Sequence, residues 1–352
     1  MDLTQVDLEN MKNHKYHSTG YTTVDNLMNP FWIKCASLLP YKFSPNMVTV
    51  TGLFCQFLSI FVISTYDLTL SAPLKWYVYF FCAFMLFMAQ TLDAIDGKHA
   101  RNTNRSSSLG QLMDHGCDSM DNFLFTIILA QAHLFGGNIH TILLQIGIQY
   151  PFYAYTLEEH FSGILRTQMN NFGVTEIQFF SMFIVIFPAI FGHGFDFIEI
   201  FGIRLIYVLV WAFLSLCTYE TIMLVKLSAQ NLPNGLSNFK YMLTMFLFIV
   251  GELFSVKLEL FKTKPFLVIL INGIYFALYT CKLIINNMAK RNIAFWDIDI
   301  MVYIIGILVS ILVGAAGECF ALIGLVGWLV YRFYVEIIYS IFKMLDYLKI
   351  SF

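Results

Sequence analysis

From Met47 to its end the chain alternates long apolar runs with short polar breaks. Windows of spanning length, about 17–25 residues, recur near 47–66, 75–95, 118–135, 139–157, 176–194, 203–225, 240–256, 265–285, 299–314 and 318–340. They predict an all-α integral membrane protein with about ten transmembrane helices. The stretch Asn26–Leu39 mixes apolar and polar positions and holds Trp32 and Lys34. It is too polar to span and reads as an amphipathic helix lying in the membrane interface. The opening residues, MDLTQVDLENMKNHKYHSTG, are polar, and no short apolar region with a cleavage site follows them. Insertion is therefore expected from the internal spans. No repeat or long linker interrupts the pattern. The expected organisation is an N-terminal segment over 1–46, carrying the interfacial helix, and one polytopic membrane domain over 47–352.

Composition agrees. Hydrophobic residues make up 58% of the chain and charged residues 12%, against roughly 25% charged in a soluble domain. So few charges could not cover a globular surface in water. The net charge of −2, with no basic run, gives no footing for nucleic acid. The seven cysteines are scattered without paired spacing and read as small buried thiols. Lysine and arginine concentrate on the side that holds both termini, among them Lys12, Lys15, Lys34, Lys98, Arg101, Arg105 and Arg166. That side, with the 96–118 loop, is expected in the cytosol. Lys257, Lys262 and Lys264 run against the rule and raise the question of a misplaced span.

The chemically informative stretch is DAIDGKHARNTNRSSSLGQLMDHGCDSMD, Asp93 to Asp121. Asp93 and Asp96 are three apart, on one face at the end of the second predicted span. Asp114 and Asp118 are four apart, on one face at the start of the third. Helix N-termini favour acids, which would account for the second pair as simple solvated ends. The first pair sits where the dipole repels it. Four carboxylates brought together need cations or protons to neutralise them. Hard divalent cations take oxygen ligands, and Mg²⁺ shares a few carboxylates with substrate phosphates; Mn²⁺ also accepts six oxygens. Gly97 is expected to let the chain leave the second span directly after Asp96. Gly110 would allow close backbone approach, and Lys98, Arg101 and Arg105 supply positive charge suited to a pyrophosphate. Asp121, on the face of Asp114, receives no role.

The spacing Asp93-x-x-Asp96-Gly97-x-x-Ala100-Arg101, eight residues, Gly110, three, Asp114, three, Asp118 matches every fixed position of the CDP-alcohol phosphatidyltransferase signature. The strings GQLMDHGCDS, KNHKY near the start, SPNMVTVTG at 44–52, FSGILR at 161–166 and VTEIQ at 174–178 resemble the choline/ethanolamine phosphotransferase branch. That resemblance implies a Mg²⁺-dependent enzyme that takes CDP-choline or CDP-ethanolamine and diacylglycerol and releases CMP with a phospholipid. Carried over residue by residue, Asp93, Asp96 and Asp114 are metal ligands and Asp118 is a ligand or the base. His115, from the DHG form of this branch, is the rival base, better matched to neutral pH than a metal-bound carboxylate. Asn46, Gly97, Lys98, Ala100, Arg101 and Gly110 become contacts for the CDP-alcohol, with a helix cap as the other reading of Asn46. Glu158 and Glu176 become candidate receptors for the ammonium headgroup, although Leu157 stands where the branch commonly has a tryptophan. The resemblance also places the protein among membrane lipids of the endoplasmic reticulum or Golgi, with the site facing the cytosol, and leaves room for a homodimer. A phosphatidylinositol-type synthase shares the signature, though such relatives resemble six-span rather than ten-span proteins. An inactive member kept as a structural subunit is the other alternative.

Overall fold

A computed structural model describes the chain except residues 1–2, 15–17, 20–21, 167, 170–171, 231–238, 293–296 and 350–352. Lys15 and part of the KNHKY string lie outside the described residues, and nothing is described of the Arg166 side chain. The chain is an all-α integral membrane protein. Among the described residues six helices are long and apolar enough to cross a membrane.

Ahead of the spans lie α1 (Gln5–Lys12) and α2 (Thr23–Leu38). The first has no counterpart among the expected elements. Thr4 starts it through a capping box with Asp7, which is how a short polar segment holds one helical turn after another. The second falls on the expected interfacial helix. It buries Trp32 and Ala36 against Val48 and Ile95 while Leu27, Ile33 and Leu38 stay exposed. That one-sided burial is the amphipathic signature the composition suggested.

Further helices follow as α3 (Pro45–Tyr66), α4 (Trp76–Asn102), α5 (Ser108–Ala132), α6 (Ile139–Ser162), α7 (Val174–Phe191), α8 (Leu205–Gln230) and α9 (Phe239–Ser255), of which α3, α4, α7 and α8 are among the six. A short α10 (Glu259–Thr263) leads to α11 (Pro265–Met288), α12 (Ile298–Phe333) and, after one π-helical turn, α13 (Tyr339–Leu348). Each of the ten expected windows falls on a helix. The last two fall on α12, which is bent at Gly314, where φ is 63° and ψ −173°. Arg332 Nε donates to Asp299 Oδ1 at 2.7 Å, whereas a straight helix would hold residues 33 apart separated by about 50 Å. A glycine adopts that backbone conformation without a Cβ clash, so α12 is an antiparallel hairpin of two legs.

Two boundaries differ from expectation, and both matter for the site. The second span does not end at Gly97: α4 continues to Asn102 and is closed by Thr103. Gly97 is therefore not a C-terminal glycine. A Cβ there would stand 3.6 Å from an Arg101 guanidinium nitrogen, an ordinary contact. The third helix starts ten residues earlier than expected, because Ser107 accepts from the Gly110 amide at 3.1 Å and caps it. Asp114 and Asp118 thus lie two to three turns inside α5 and not at its start.

The lysines that ran against the charge rule sit on the turn between α9 and α11. Lys262 pairs with Glu259 at 2.6 Å, and Glu318 caps α10 through the amides of Glu259 and Leu260. A Cβ at Gly137 would lie 2.4 Å from the Phe261 carbonyl, so this turn packs on the α5–α6 turn, at the end opposite the aspartates.

The interior has two main apolar clusters. One joins α3, α4, α5 and α7 around Ile63, Leu86, Leu124 and Val185; the other joins α6, α9, α11 and α12 around Tyr153, Tyr275 and Tyr303. They meet where α5 crosses α11. A Cβ at Gly273 would fall 2.1 Å from the Phe123 Cβ, so only glycine permits that approach.

Candidate active site

The α4–α5 turn is tight: Asn104 takes a left-handed conformation and Arg105 N donates to the Ala100 carbonyl at 2.8 Å. The two helices run back past each other and carry their acids face to face. Asp93, Asp114 and Asp118 each present an oxygen within 4.8 Å of the others. Carboxylates this close repel unless a cation is shared among them. An all-oxygen set of this size suits a hard divalent cation that completes its shell with water and substrate oxygens, so the residues fit a metal. Asp96 stands one turn nearer the α4–α5 turn. It is buried and accepts a hydrogen bond from the Thr49 hydroxyl of α3. It adjoins the three as a fourth carboxylate, already held by its own donor.

His115 is buried on α5, with Nε2 3.9 Å from Asp114 Oδ2, and faces the same cavity as Asp93 and Asp118. Lys98 folds back so that its ammonium donates to the Ala94 carbonyl at 3.0 Å and lies 5.3 Å from the Trp32 ring centre. That stacking links α2 to the signature helix. Asn46 is buried at the start of α3, its Oδ1 3.7 Å from where a Gly110 Cβ would stand. Ser44 holds the cap position of α3, so Asn46 is inside the first turn and is not the cap. Asn46, Gly97, Ala100, Arg101 and Gly110 thus gather on the turn side of the carboxylates, with Arg101 exposed.

The two glutamates named for the headgroup are placed elsewhere. Neither Glu158 nor Glu176 lines the cavity. Glu176 accepts from the Val24 amide and from the Gly173 amide, both at 2.9 Å, capping the start of α7 and tying it to α2. Gly173 followed three residues on by Glu is a cap signal legible in the sequence. Glu158 is fully buried on α6. Its neighbour Glu159 accepts from Gln111 at 3.0 Å.

The cavity has a volume of about 480 Å³ and two characters. One end is polar, with Asp93, Asp118, His115 and Lys98. The other is a wing between α6, α7 and α8 walled by Gly147, Pro151, Phe152, Met182 and Phe213. Gln56, Gln90, Asp121 and Asn122 line it as well, and Glu220 of α8 faces it from within an apolar helix. None of these was singled out for a role from the sequence. The available signal was a lone polar residue inside an apolar run, as in LFCQFLS, FMAQTLD and CTYETIM.

Residues 42–213 match the family model described as CDP-alcohol phosphatidyltransferase. The chain is 31% identical over 298 residues to uncharacterized CDP-alcohol phosphatidyltransferase class-I family protein 1 of Dictyostelium discoideum, covering 81% of this chain and 77% of that one. It is 36% identical over 195 residues to family protein 3 of the same organism, covering 55% and 49%. To cholinephosphotransferase 1 of Homo sapiens it is 29% identical over 308 residues, covering 84% and 75%. The matched part spans about half the length of family protein 3 and about three quarters of the other two. The chain belongs to the CDP-alcohol phosphatidyltransferase family.

Proposed function

We propose that this protein transfers phosphocholine or phosphoethanolamine from a CDP-alcohol to diacylglycerol, forming a phospholipid and releasing CMP. The observation that carries the reading is the three-carboxylate cluster on facing helices, opening into a cavity polar at one end and apolar at the other. A donor rich in phosphate and an acceptor rich in hydrocarbon need such a two-sided space. Similarity to the human protein named cholinephosphotransferase 1 supports the same chemistry.

Asp93, Asp114 and Asp118, with Asp96 beside them, would hold Mg²⁺, with Mn²⁺ as an alternative occupant. When bound, such a cation neutralises charge on the transferred phosphoryl group. The side chains do the rest. Arg101 and Lys98 offer positive charge for the diphosphate, and Asn46, Gly97, Ala100 and Gly110 shape the surface under the nucleotide. The acceptor oxygen forms a bond to the β-phosphorus as the bond to the bridging oxygen breaks, and CMP leaves with that electron pair. His115 or Asp118 takes the hydroxyl proton. The site would face the cytosol of an endoplasmic reticulum or Golgi membrane.

The test is headgroup transfer by the purified protein in lipid nanodiscs, with diacylglycerol and labelled CDP-choline or CDP-ethanolamine. Product is expected with Mg²⁺, absent with EDTA, and absent for Asp114→Asn in folded protein. Failure with both donors would sink the reading.

A further inference from the structure

One turn deeper than the carboxylates lies a second polar layer. Gln90 precedes Asp93 on α4 by three residues, and Asp121 and Asn122 follow Asp118 on α5 by three and four. These steps correspond to about 4.5–6 Å along each helix. Gln56, on α3, lies seven residues beyond Thr49, the partner of Asp96, which brings it level with Gln90. All four line the cavity. Gln56 Oε1, Gln90 Oε1, Asp121 Oδ1 and Asn122 Nδ2 are buried atoms without a hydrogen-bond partner. Gln56 and Gln90 are only 3% and 6% exposed. Buried polar groups left unsatisfied cost free energy, and here three amides and a carboxyl group from three helices converge on one space.

The geometry points to this inner layer as the seat of the acceptor's glycerol backbone, with the amides of Gln56, Gln90 and Asn122 donating to the ester carbonyls. The inference rests on the headgroup-transfer reading and adds which residues recognise the lipid. Three observations carry it. First, the layer lies between the carboxylates and the apolar wing of Gly147, Met182 and Phe213. A diacylglycerol whose hydroxyl reaches the carboxylates and whose chains lie in the wing must place its esters between them. Second, the layer brings no lysine or arginine; Lys98, the basic residue of the cavity, sits on the turn side of Asp93. Phosphates therefore belong on the far side of the carboxylates. Third, Asn122 Nδ2 is a donor in need of an acceptor, and each glutamine amide can offer either its NH₂ or its carbonyl. The two ester carbonyls of a diacylglycerol are acceptors for the Asn122 NH₂ and for glutamine NH₂ groups turned toward them.

The experiment measures binding apart from turnover. Full-length protein in nanodiscs is titrated with labelled sn-1,2-dioctanoylglycerol and, separately, with CMP. Gln90→Met and Asn122→Leu are compared with wild type, with Gln56→Met as a second glutamine variant. Dioctanoylglycerol affinity is expected to fall roughly tenfold or more, with CMP affinity unchanged. The thermal midpoint of the ligand-free glutamine variants should hold or rise, because an unpaired amide is gone. Variants that bind CMP and dioctanoylglycerol as wild type does would overturn the assignment, as would weakened binding of CDP-choline or CDP-ethanolamine with the lipid unaffected. A wild type that binds dioctanoylglycerol through these residues but transfers no headgroup would uphold the subsite and defeat the proposed reaction instead.

Discussion

Asp93, Asp114 and Asp118 sit close enough that the folded protein holds them together against their own repulsion. Removing one charge should relieve that cost. In EDTA, Asp118→Asn is expected to unfold at a higher temperature than wild type, while Mg²⁺ stabilises the wild type and the variant far less. Turnover should drop on the order of 100-fold or more, the scale of losing an acid–base or ligand group. Differential scanning fluorimetry with and without metal checks the first part, and equal Mg²⁺ responses would contradict it. The pairs themselves were legible in the sequence, since helical spacing alone puts Asp93 with Asp96 and Asp114 with Asp118. The inner layer was not. A lone glutamine in an apolar run looks the same whether it faces a cavity or a neighbouring helix, and only tertiary packing separates the two. Glu176 shows the reverse case: its place in a family-like string suggested a ligand, while its spacing from Gly173 already spelled a helix cap.

At the level of elements, the hydropathy windows found the helices but misplaced the ends that matter. Apolar content stops near residue 95, yet α4 runs on for two more turns, with Asp96 held by Thr49, His99 bonded to the Phe43 carbonyl, and Arg101 and Asn102 exposed. The hairpin of α12 was readable as two windows on either side of Gly314. The first helix was not readable, as its stability comes from a partner distant in sequence. Arg291 Nε donates to Asp7 Oδ1 at 2.8 Å, its second nitrogen pairs with the other oxygen, and Asn10 donates to the Ala289 carbonyl at 3.0 Å. The Arg291 guanidinium holds the Asp7 carboxyl well below the usual carboxylate range, helped by Thr4 against the opposing effect of burial. The sign follows: the contribution is full above about pH 4, the unfolded carboxylate value, and is lost only as pH falls toward the depressed folded value. Amide exchange in α1 should therefore be flat from pH 7 to pH 5, once corrected for intrinsic rates, and accelerate below about pH 4. Arg291→Ala should loosen α1 at neutral pH by about 1–3 kcal/mol, and the difference from wild type should shrink as Asp7 protonates in acid.

For the whole molecule, the crossing of α5 over α11 is the joint between the two apolar clusters. Phe123 lies two residues past Asp121, so the same helix that carries three of the site's acids is pressed against Gly273. Gly273→Ala should force the helices apart at an overpacking cost of about 1–3 kcal/mol. Denaturant unfolding in mixed micelles would register it, and headgroup transfer should fall in parallel. An active, fully stable Gly273→Ala protein would show that the joint tolerates more slack than its geometry allows. The joint also bears on timing during synthesis. Residue 273 leaves the ribosome 150 positions after residue 123. At about 5–20 residues per second, that delay is on the order of 10–30 s. During it α5 waits in the membrane with three carboxylates and no α11 to lean on, so the nascent chain spends its most exposed interval with its most polar helix unsupported.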